Sequence, residues 1–133
     1  MNPISDRVAT GTIGELLVQL RLLQYGVQPA PPIKDSGNDL IAINGRDVRS
    51  ISVRTTTNGR YTKPKAGRIY DVLAVVSLFG HDREIQLDRS SIFLLAHAEV
   101  AGAPVSCNRL EPWAWSPELV VRLFGAPDQQ HVQ

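Results

Sequence analysis

The strongest constraint on the fold is a predicted β-hairpin centred on Asn44-Gly45. The pair Asn-Gly is typical of two-residue hairpin turns, because both positions tolerate a positive φ angle. Strand-forming residues flank it from Asp39 to Ile43 and from Val48 to Thr56, which predicts two antiparallel strands. Alternation along the second strand places Ser52 and Arg54 on one face of the sheet and their aliphatic neighbours on the other.

A helix is predicted before the hairpin, from Thr10 or Thr12 to Tyr25. Gly26 is a natural C-terminal stop for it. Its apolar residues recur at helical spacing, and they are Ile13, Leu16, Leu17, Leu20 and Leu23. Val18 and Leu22 widen this apolar surface, so we expect the helix to be buried on more than one side. The proline-rich residues 28–32 then predict an extended connector.

The second half of the chain predicts further strands and a final helix. The β-branched run from Val72 to Val76 is typical of a strand covered on both faces. Glu84 to Leu87 predicts another strand, and Ser91 to Ala98 fits a strand or a helix. The sequence Ser116-Pro117-Glu118 is typical of a helix N-terminus, with a capping side chain followed by proline, and Gly125 ends this helix.

These elements predict a single domain of the α/β class, with a mixed sheet packed against helices. We expect its core to span about residues 10–125 and the tail 126–133 to be frayed. The single Cys107 excludes an internal disulfide and a multi-cysteine zinc site, and it indicates a reducing compartment. No apolar run reaches about 18 residues and the first residues lack a signal-peptide core, so a cytoplasmic protein without membrane contact is expected.

Positive charge is concentrated in one segment, from Asn44 to Arg68. This segment carries a formal charge of +6 and leaves −5 for the rest of a chain whose net charge is +1. Such clustering predicts a phosphate-binding surface, and the alternative is a solvated hairpin with basic side chains for solubility. The candidate nucleic-acid-binding residues are Arg46, Arg49, Arg60, Lys63, Lys65 and Arg68.

Four residues form the candidate catalytic site: Glu15, Asp39, Ser52 and Arg54. A carboxylate at the start of one strand, beside a strand with a polar pair two residues apart, is the ground plan of many metal-dependent nucleases. Phosphodiester hydrolysis needs carboxylates to hold Mg²⁺ and a cation to stabilise the charge of the transition state. Glu15 lies in the first turns of the predicted helix and can lie over the same cleft.

Each of these residues also has a structural interpretation. Thr12 and Glu15 have the spacing of a helix capping box. Asp39 follows a turn sequence and fits a turn residue, and Ser52 with Arg54 fits a solvent-facing strand pair. Two tryptophans near the end of the chain, Trp113 and Trp115, either stack on bases or close the core.

Several motifs together resemble the PD-(D/E)XK nuclease superfamily, in the restriction-endonuclease-like branch that includes Holliday-junction-resolvase-like and homing-endonuclease-like proteins. They are Gly11-Thr12-Ile13-Gly14-Glu15-Leu16-Leu17-Val18, the helix-ending Gly26, Asp39-Leu40-Ile41 and Ile51-Ser52-Val53-Arg54-Thr55-Thr56, followed by Asp71-Val72-Leu73-Ala74-Val75-Val76 as the third core strand. The resemblance extends from Thr10 to Leu95. It implies an αβββαβ core with a mixed central sheet flanked by helices.

The resemblance also assigns roles to the candidate site. Glu15 and Asp39 match the acidic positions of the family, which bind Mg²⁺ or Mn²⁺. Ser52 stands where the family has Glu or Gln, and Arg54 stands where it has the catalytic Lys. A serine hydroxyl is a weak Mg²⁺ ligand, and arginine keeps the positive charge but cannot act as a base.

Two outcomes on DNA therefore stay open. One is a metal-dependent endodeoxyribonuclease that uses Mg²⁺ or Mn²⁺, and the other is a catalytically silent DNA-binding relative without a cofactor. An alternative of a different class is a nuclease fold kept as a protein-interaction or assembly module. By analogy with small proteins of this fold, a homodimer is an alternative to a monomer.

Overall fold

A computed structural model of the protein describes residues 6–31, 39–80 and 84–126, and the side chains of residues 6–8 and 39 lie outside this description. In chain order, the elements are α1 (Asp6–Gln24), β1 (Gln28–Ala30), β2 (Asp39–Asn44), β3 (Asp47–Thr56), β4 (Val72–Phe79), β5 (Gln86–Ala96), α2 (His97–Val100), two 3₁₀ turns (Cys107–Arg109 and Glu111–Trp113) and α3 (Pro117–Phe124). No helix among the described residues is long and apolar enough to cross a membrane. The predicted frayed tail lies outside the described residues beyond Ala126.

The strands form one mixed sheet in the order β1-β2-β3-β4-β5. The central pair, β3 and β4, is parallel, and the other neighbouring pairs are antiparallel. The predicted hairpin between β2 and β3 is confirmed, but its two turn residues are Gly45, with a φ of 63°, and Arg46, whereas Asn44 is the last residue of β2 and pairs with Asp47. The expected mixed sheet with flanking helices is therefore present. The order of elements differs from αβββαβ, because five strands follow α1 and the crossover from β3 to β4 contains no helix.

Helices cover one face of this sheet, and turns and loops cover most of the other. The first face and its helices form a cluster that includes Val18, Leu22, Ile51, Val53, Ala74, Leu94, Leu119 and Phe124. The opposite face forms a second cluster, with Tyr61, Tyr70, Leu73, Val75, Phe93 and Leu110. The prediction for β4 is confirmed, because this strand contributes buried residues to both clusters.

The C-terminal predictions are also confirmed. The Ser116 hydroxyl accepts a hydrogen bond of 3.1 Å from the Leu119 amide, and α3 ends at Gly125. Trp115 packs against the first apolar cluster and Trp113 against the second, so both tryptophans close the core.

Some boundaries differ from the sequence-based expectation. Helix α1 begins at Asp6, so Thr12 lies inside the helix and the capping-box interpretation of Thr12 and Glu15 is wrong. Part of the expected connector forms β1, which pairs with β2 at the edge of the sheet. The ambiguous segment from Ser91 to Ala98 is a strand as far as Ala96 and then turns into α2.

The face that α1 turns to the sheet is set by glycine. Gly11, Gly14, Val18 and Leu22 are buried, and a Cβ atom at Gly14 would overlap the Thr55 side chain on β3. The helix backbone therefore lies directly against the strand. The sequence pattern predicts that α1 is buried on a second side as well. The described residues do not cover that side, because Leu16, Leu20 and Leu23 are exposed.

The close approach of α1 to β3 predicts a large effect for Gly14→Ala. The added methyl group has to displace Thr55 or the helix, and overpacking of this kind lowers the free energy of unfolding by about 1–3 kcal/mol. Gly102→Ala is the matched control, since no atom lies within 4 Å of a Cβ built there. Urea unfolding measures both variants, and an equal stability of the two would contradict this packing.

Glu99 links α2 to the segment before α3. Its carboxylate accepts hydrogen bonds from the Ala96 amide (2.9 Å) and the Trp113 indole (3.0 Å), and Arg122 lies 3.6 Å away. Burial raises the pKa of Glu99, but these hydrogen bonds and the Arg122 charge outweigh burial and hold the pKa below its ordinary value of 4.5.

This lowered pKa predicts an acid-dependent loss of stability. The contribution of Glu99 is present above its ordinary pKa and is lost as the pH falls through the lower pKa of the folded protein. We expect Glu99→Gln to lower the free energy of unfolding at pH 7 by about 1 kcal/mol and to reduce the further loss on acidification. Thermal unfolding from pH 7 to pH 3 measures this. The exposed Glu111→Gln serves as the control, and an identical pH profile for Glu99→Gln and the wild type would contradict the assignment.

Candidate nucleic-acid interface

The central strands separate at the level of Ser52. Strand β2 begins at Asp39, directly opposite Ser52, and β3 continues for four more residues. Within the described part of the chain, Val53–Thr56 therefore pairs with a strand on one side only, the side of β4. We call the point where β2 begins beside Ser52 the fork, and beyond it the described residues place no strand beside Val53–Thr56 on the β2 side.

A cleft of about 600 Å³ lies at the end of β3 beyond this fork. Three parts of the chain form its walls: the N-terminal half of α1, the end of β3, and the loop that follows β3. The lining residues are Thr10, Gly11, Arg54, Thr55, Thr56, Thr57, Asn58, Arg60, Tyr61, Thr62, Lys63 and Lys65. We call this space the basic cleft.

Local hydrogen bonds fix the start of the loop on one side of the cleft. The Thr56 hydroxyl donates to the Asn58 side-chain carbonyl at 2.8 Å and accepts from the Asn58 amide at 3.2 Å. The same carbonyl accepts from the Arg60 amide at 3.0 Å. Side chains of this kind replace backbone partners in turns, so this network defines where the Arg60 side chain leaves the loop.

Contacts with residues 101–107 hold the rest of the loop in place. The Tyr61 amide donates to the Val105 carbonyl at 3.2 Å, and its hydroxyl donates to the Pro104 carbonyl at 2.9 Å. The Lys63 ammonium donates to the Ala101 carbonyl at 3.0 Å. Because these partners lie about 40 residues away in sequence, the cleft is built by tertiary packing within the chain.

The charge of the basic cleft is entirely positive. Its described lining contains four cationic side chains and no carboxylate; the cations are Arg54, Arg60, Lys63 and Lys65. Arg54 lies near the buried Tyr70, whose pKa is raised by burial although the Arg54 charge opposes this rise. Like charges gathered in one concave surface raise the local concentration of anions.

Tyr61, which lines the cleft, and Cys107, which packs in the same apolar cluster, both have raised pKa values. Burial is the main cause that raises the pKa of the Tyr61 phenol above its ordinary value. Burial also raises the pKa of the Cys107 thiol, although a hydrogen bond with Ser77 opposes this rise. Both groups therefore stay protonated at neutral pH. The described lining of the cleft contains no histidine, so it offers no group that takes a proton at that pH.

The four candidate catalytic residues are divided between the two faces of β3. Ser52 and Arg54 share a face of β3, and Asp39 is the register partner of Ser52. Glu15 lies on α1, which packs against the opposite face of β3 through Gly14 and Thr55. Arg54 lines the basic cleft, whereas Ser52 and Glu15 are absent from its described lining, and the Asp39 side chain lies outside the description.

Ser52 is fully buried, which contradicts the interpretation of Ser52 and Arg54 as a solvent-facing pair. Its exposed fraction is 0%, and its hydroxyl has no hydrogen-bond partner among the described residues. A buried hydroxyl without a partner is costly, and such groups are rare in ordinary strand positions. The position therefore keeps a polar group at the fork, with no access from solvent.

The carboxylates that would hold a Mg²⁺ or Mn²⁺ ion are those of Glu15 and Asp39, and the Asp39 side chain lies outside the description. These ions need several oxygen ligands, carboxylates above all, in a nearly octahedral arrangement. Among the described residues no three His, Cys, Asp or Glu side chains come together, and the third ligand position of the resemblance is occupied by the inaccessible Ser52 hydroxyl.

The predicted basic residues divide into two groups. Arg60, Lys63 and Lys65 line the cleft, whereas Arg46 and Arg49 lie near the hairpin at the other end of β3. At about 3.3 Å per residue, Arg46 lies roughly 26 Å along the strand from Arg54. Arg68 lies in the crossover loop, outside the described lining of the cleft.

Sequence reasoning missed the neutral part of the cleft wall. Thr10 and Gly11 on α1 and the threonines at positions 55–57 and 62 border the same space as the cations. The available signal was the pair Gly11 and Gly14, whose spacing places two residues without side chains on one helix face.

Comparison with known proteins supports a nuclease-like fold. The structure resembles that of the bacterial homing endonuclease I-Ssp6803I, with a TM-score of 0.53 and 16% sequence identity over 75% of this chain and 71% of that chain. At this level of identity, the similarity shows the fold alone. No protein-family model matches the sequence, and no curated protein matches it.

Proposed function

We propose that this nuclease-fold protein binds DNA by holding the phosphate backbone in the basic cleft, without metal-dependent cleavage. The observation that carries the proposal is the set of four cations, with no carboxylate in the described lining, on an ordered loop at the fork of β2 and β3. The α1, β2, β3 and β4 arrangement serves in this proposal as a PD-(D/E)XK-like core. The homing endonuclease with a similar fold supports DNA as the ligand, because an endonuclease acts on nucleic acid.

The cleft provides the contacts that a phosphate backbone requires. Lysine and arginine pair with phosphate oxygens, and threonine and asparagine side chains supply additional hydrogen bonds to phosphate and sugar. Tyr61, the aromatic residue in the described lining, is buried and its hydroxyl is already bonded. The cleft therefore offers no stacking platform for bases, and its contacts are independent of DNA sequence.

The substitutions at the fork argue against hydrolysis. Cleavage in the resembling family needs a metal ligand at position 52 and a lysine at position 54. The buried Ser52 hydroxyl is a weak ligand, and Arg54 stays charged and cannot deprotonate a water molecule. In our proposal Arg54 instead binds a phosphate, because its planar guanidinium group can donate two parallel hydrogen bonds to the phosphate oxygens. Glu15 and Asp39 are then residues retained from a nuclease site.

DNA binding through the cleft predicts a strong salt dependence. If the four cations each neutralise one phosphate, the logarithm of the association constant falls with the logarithm of salt concentration with a slope of about −3.6. We expect Arg60→Gln with Lys65→Gln to reduce this slope to about −1.8 and to weaken binding at low salt by at least about tenfold. Fluorescence anisotropy with duplex, branched and single-stranded DNA and duplex RNA measures these values.

The matched control is Arg46→Gln with Arg49→Gln. This control also removes two positive charges from the basic segment, but it removes them near the hairpin, at the other end of β3. We expect it to keep the wild-type slope. An equal loss in both double variants would show that the net charge of the segment, rather than the cleft, binds DNA, and no salt-sensitive binding at all would contradict the proposal.

The altered fork also predicts the absence of metal-dependent cleavage. We expect intact plasmid and branched DNA after incubation of the wild-type protein with excess Mg²⁺ or Mn²⁺, because position 52 offers only a buried hydroxyl. The double variant Ser52→Glu with Arg54→Lys, once circular dichroism shows that it is folded, tests whether these two groups alone are missing for cleavage. Metal-dependent cleavage by the wild type that disappears in Asp39→Ala would contradict the proposal. It would instead support a catalytic metal site that includes Asp39.

A further inference from the structure

The sequence contains two Asn-Gly-Arg triplets, at residues 44–46 and 58–60. Asparagine followed by glycine is prone to spontaneous deamidation, in which the backbone nitrogen of the glycine attacks the side-chain amide. Glycine favours this reaction because it has no Cβ atom to hinder the approach. Since the triplets are identical, local sequence predicts the same intrinsic reactivity for Asn44 and Asn58. A difference between them therefore comes from the fold.

The fold protects Asn44. This residue is 8% exposed, and its side-chain nitrogen Nδ2 donates hydrogen bonds to the carbonyl oxygens of Phe124 (2.8 Å) and Ala126 (2.9 Å). These bonds hold the leaving group of deamidation in place, and they place no donor on the side-chain oxygen, where negative charge would develop. Asn44 also pairs with Asp47 across the hairpin. Deamidation of Asn44 therefore requires the hairpin to open first.

Asn58 has the opposite set of contacts. It is exposed, and its side-chain oxygen Oδ1 accepts hydrogen bonds from the Thr56 hydroxyl (2.8 Å) and the Arg60 amide (3.0 Å). Negative charge develops on this oxygen when the Gly59 nitrogen attacks Cγ, and donors already directed at the oxygen stabilise that charge. No described atom lies within 4 Å of a Cβ built on Gly59, so the space beside the glycine is open.

We propose that Asn58 is a site of spontaneous deamidation in the basic cleft, whereas Asn44 is protected. The Gly59 nitrogen loses its proton to hydroxide and forms a bond to Asn58 Cγ. The Cγ–Nδ2 bond then breaks, and Nδ2 takes a proton from water and leaves as ammonia. Water opens the resulting cyclic imide at either carbonyl and gives aspartate or isoaspartate. The net reaction consumes water and releases ammonia, without oxidation or reduction.

The product places a carboxylate in the wall of the basic cleft. An aspartate at position 58 still accepts the hydrogen bonds from Thr56 and Arg60, whereas an isoaspartate adds a methylene group to the main chain and shifts the loop. In both cases a negative charge joins the four cations of the described lining. This consequence rests on the proposed DNA binding: deamidation lowers the affinity of the cleft for phosphate as the protein ages.

Peptide mapping by mass spectrometry, on the full chain aged without DNA at mildly alkaline pH, tests the modification itself. Trypsin separates the triplets into fragments 35–46 and 55–60, and fragment ions assign the modified residue. In the folded protein we expect Asn58 to react at least about tenfold faster than Asn44, because Asn44 reacts only after local opening. In guanidinium chloride the two rates should become equal, because the contacts that distinguish the triplets are lost.

Thr56→Val tests the role of the hydroxyl donor. It removes the hydrogen bond to Asn58 Oδ1 with a side chain of the same shape, and circular dichroism shows whether the variant is folded. We expect deamidation at Asn58 to slow by at least about fivefold, with Asn44 as the internal reference. Equal rates at Asn44 and Asn58 in the folded wild type, an unmodified Asn58, or an unchanged rate at Asn58 in folded Thr56→Val would overturn the proposal.

Asn58→Asp reproduces the charge of the product without ageing. Fluorescence anisotropy with duplex DNA should show about fivefold weaker binding at low salt and a salt slope of about −2.7 instead of about −3.6. Gln24→Glu is the matched control. It makes the same amide-to-carboxylate change at the end of α1 away from the cleft, where the Gln24 oxygen accepts from Arg21 at 2.9 Å.

The two measurements separate this inference from the proposed function. An equal loss of DNA affinity in Asn58→Asp and Gln24→Glu would contradict the effect of deamidation on the cleft. Faster deamidation of Asn58 than of Asn44, in a protein that binds no DNA, would support the modification site and contradict only the proposed function.

Discussion

The contact between Gly14 and Thr55 sets the distance between α1 and the central strand, and the remaining architecture depends on that distance. A helix whose backbone lies directly on β3 brings its N-terminal residues Thr10 and Gly11 to the end of the strand, where they become one wall of the basic cleft. The same contact fixes the rotation of α1. Val18 and Leu22 then face the sheet, and Leu16, Leu20 and Leu23 are exposed on the other side of the helix.

The second constraint is the fork between β2 and β3. Because β2 begins opposite Ser52, no strand among the described residues pairs with the end of β3 on that side, and the loop after β3 lines the basic cleft next to it. Hydrogen bonds to residues 101–107 hold that loop, so its cations are gathered on an ordered frame. In the proposed function this part of the nuclease-like fold binds phosphate, and Ser52 and Arg54 stand where the resembling family carries the groups used for hydrolysis.

Local signals in the sequence predicted the parts of the fold that local chemistry controls. The hairpin between β2 and β3 and the Ser116 cap each depend on a few neighbouring residues, and both form as expected, although the hairpin turn lies one residue later, at Gly45 and Arg46. The buried face of α1 could not be predicted in this way, because its leucines and its Val18 and Leu22 have equally good helical spacing. The choice between the two faces is made by the contact of Gly14 with Thr55, which is distant in sequence. The division of the basic residues between cleft and hairpin is likewise set by tertiary contacts with residues 101–107.

Amide hydrogen exchange with and without duplex DNA tests the central claim most directly, because it locates the contact along the chain. The account predicts slower exchange on DNA binding at the end of β3 and in the following loop, over residues 54–65, with no change at the hairpin around Arg46. Protection confined to the hairpin, or spread equally over all basic residues, would contradict a binding site in the cleft.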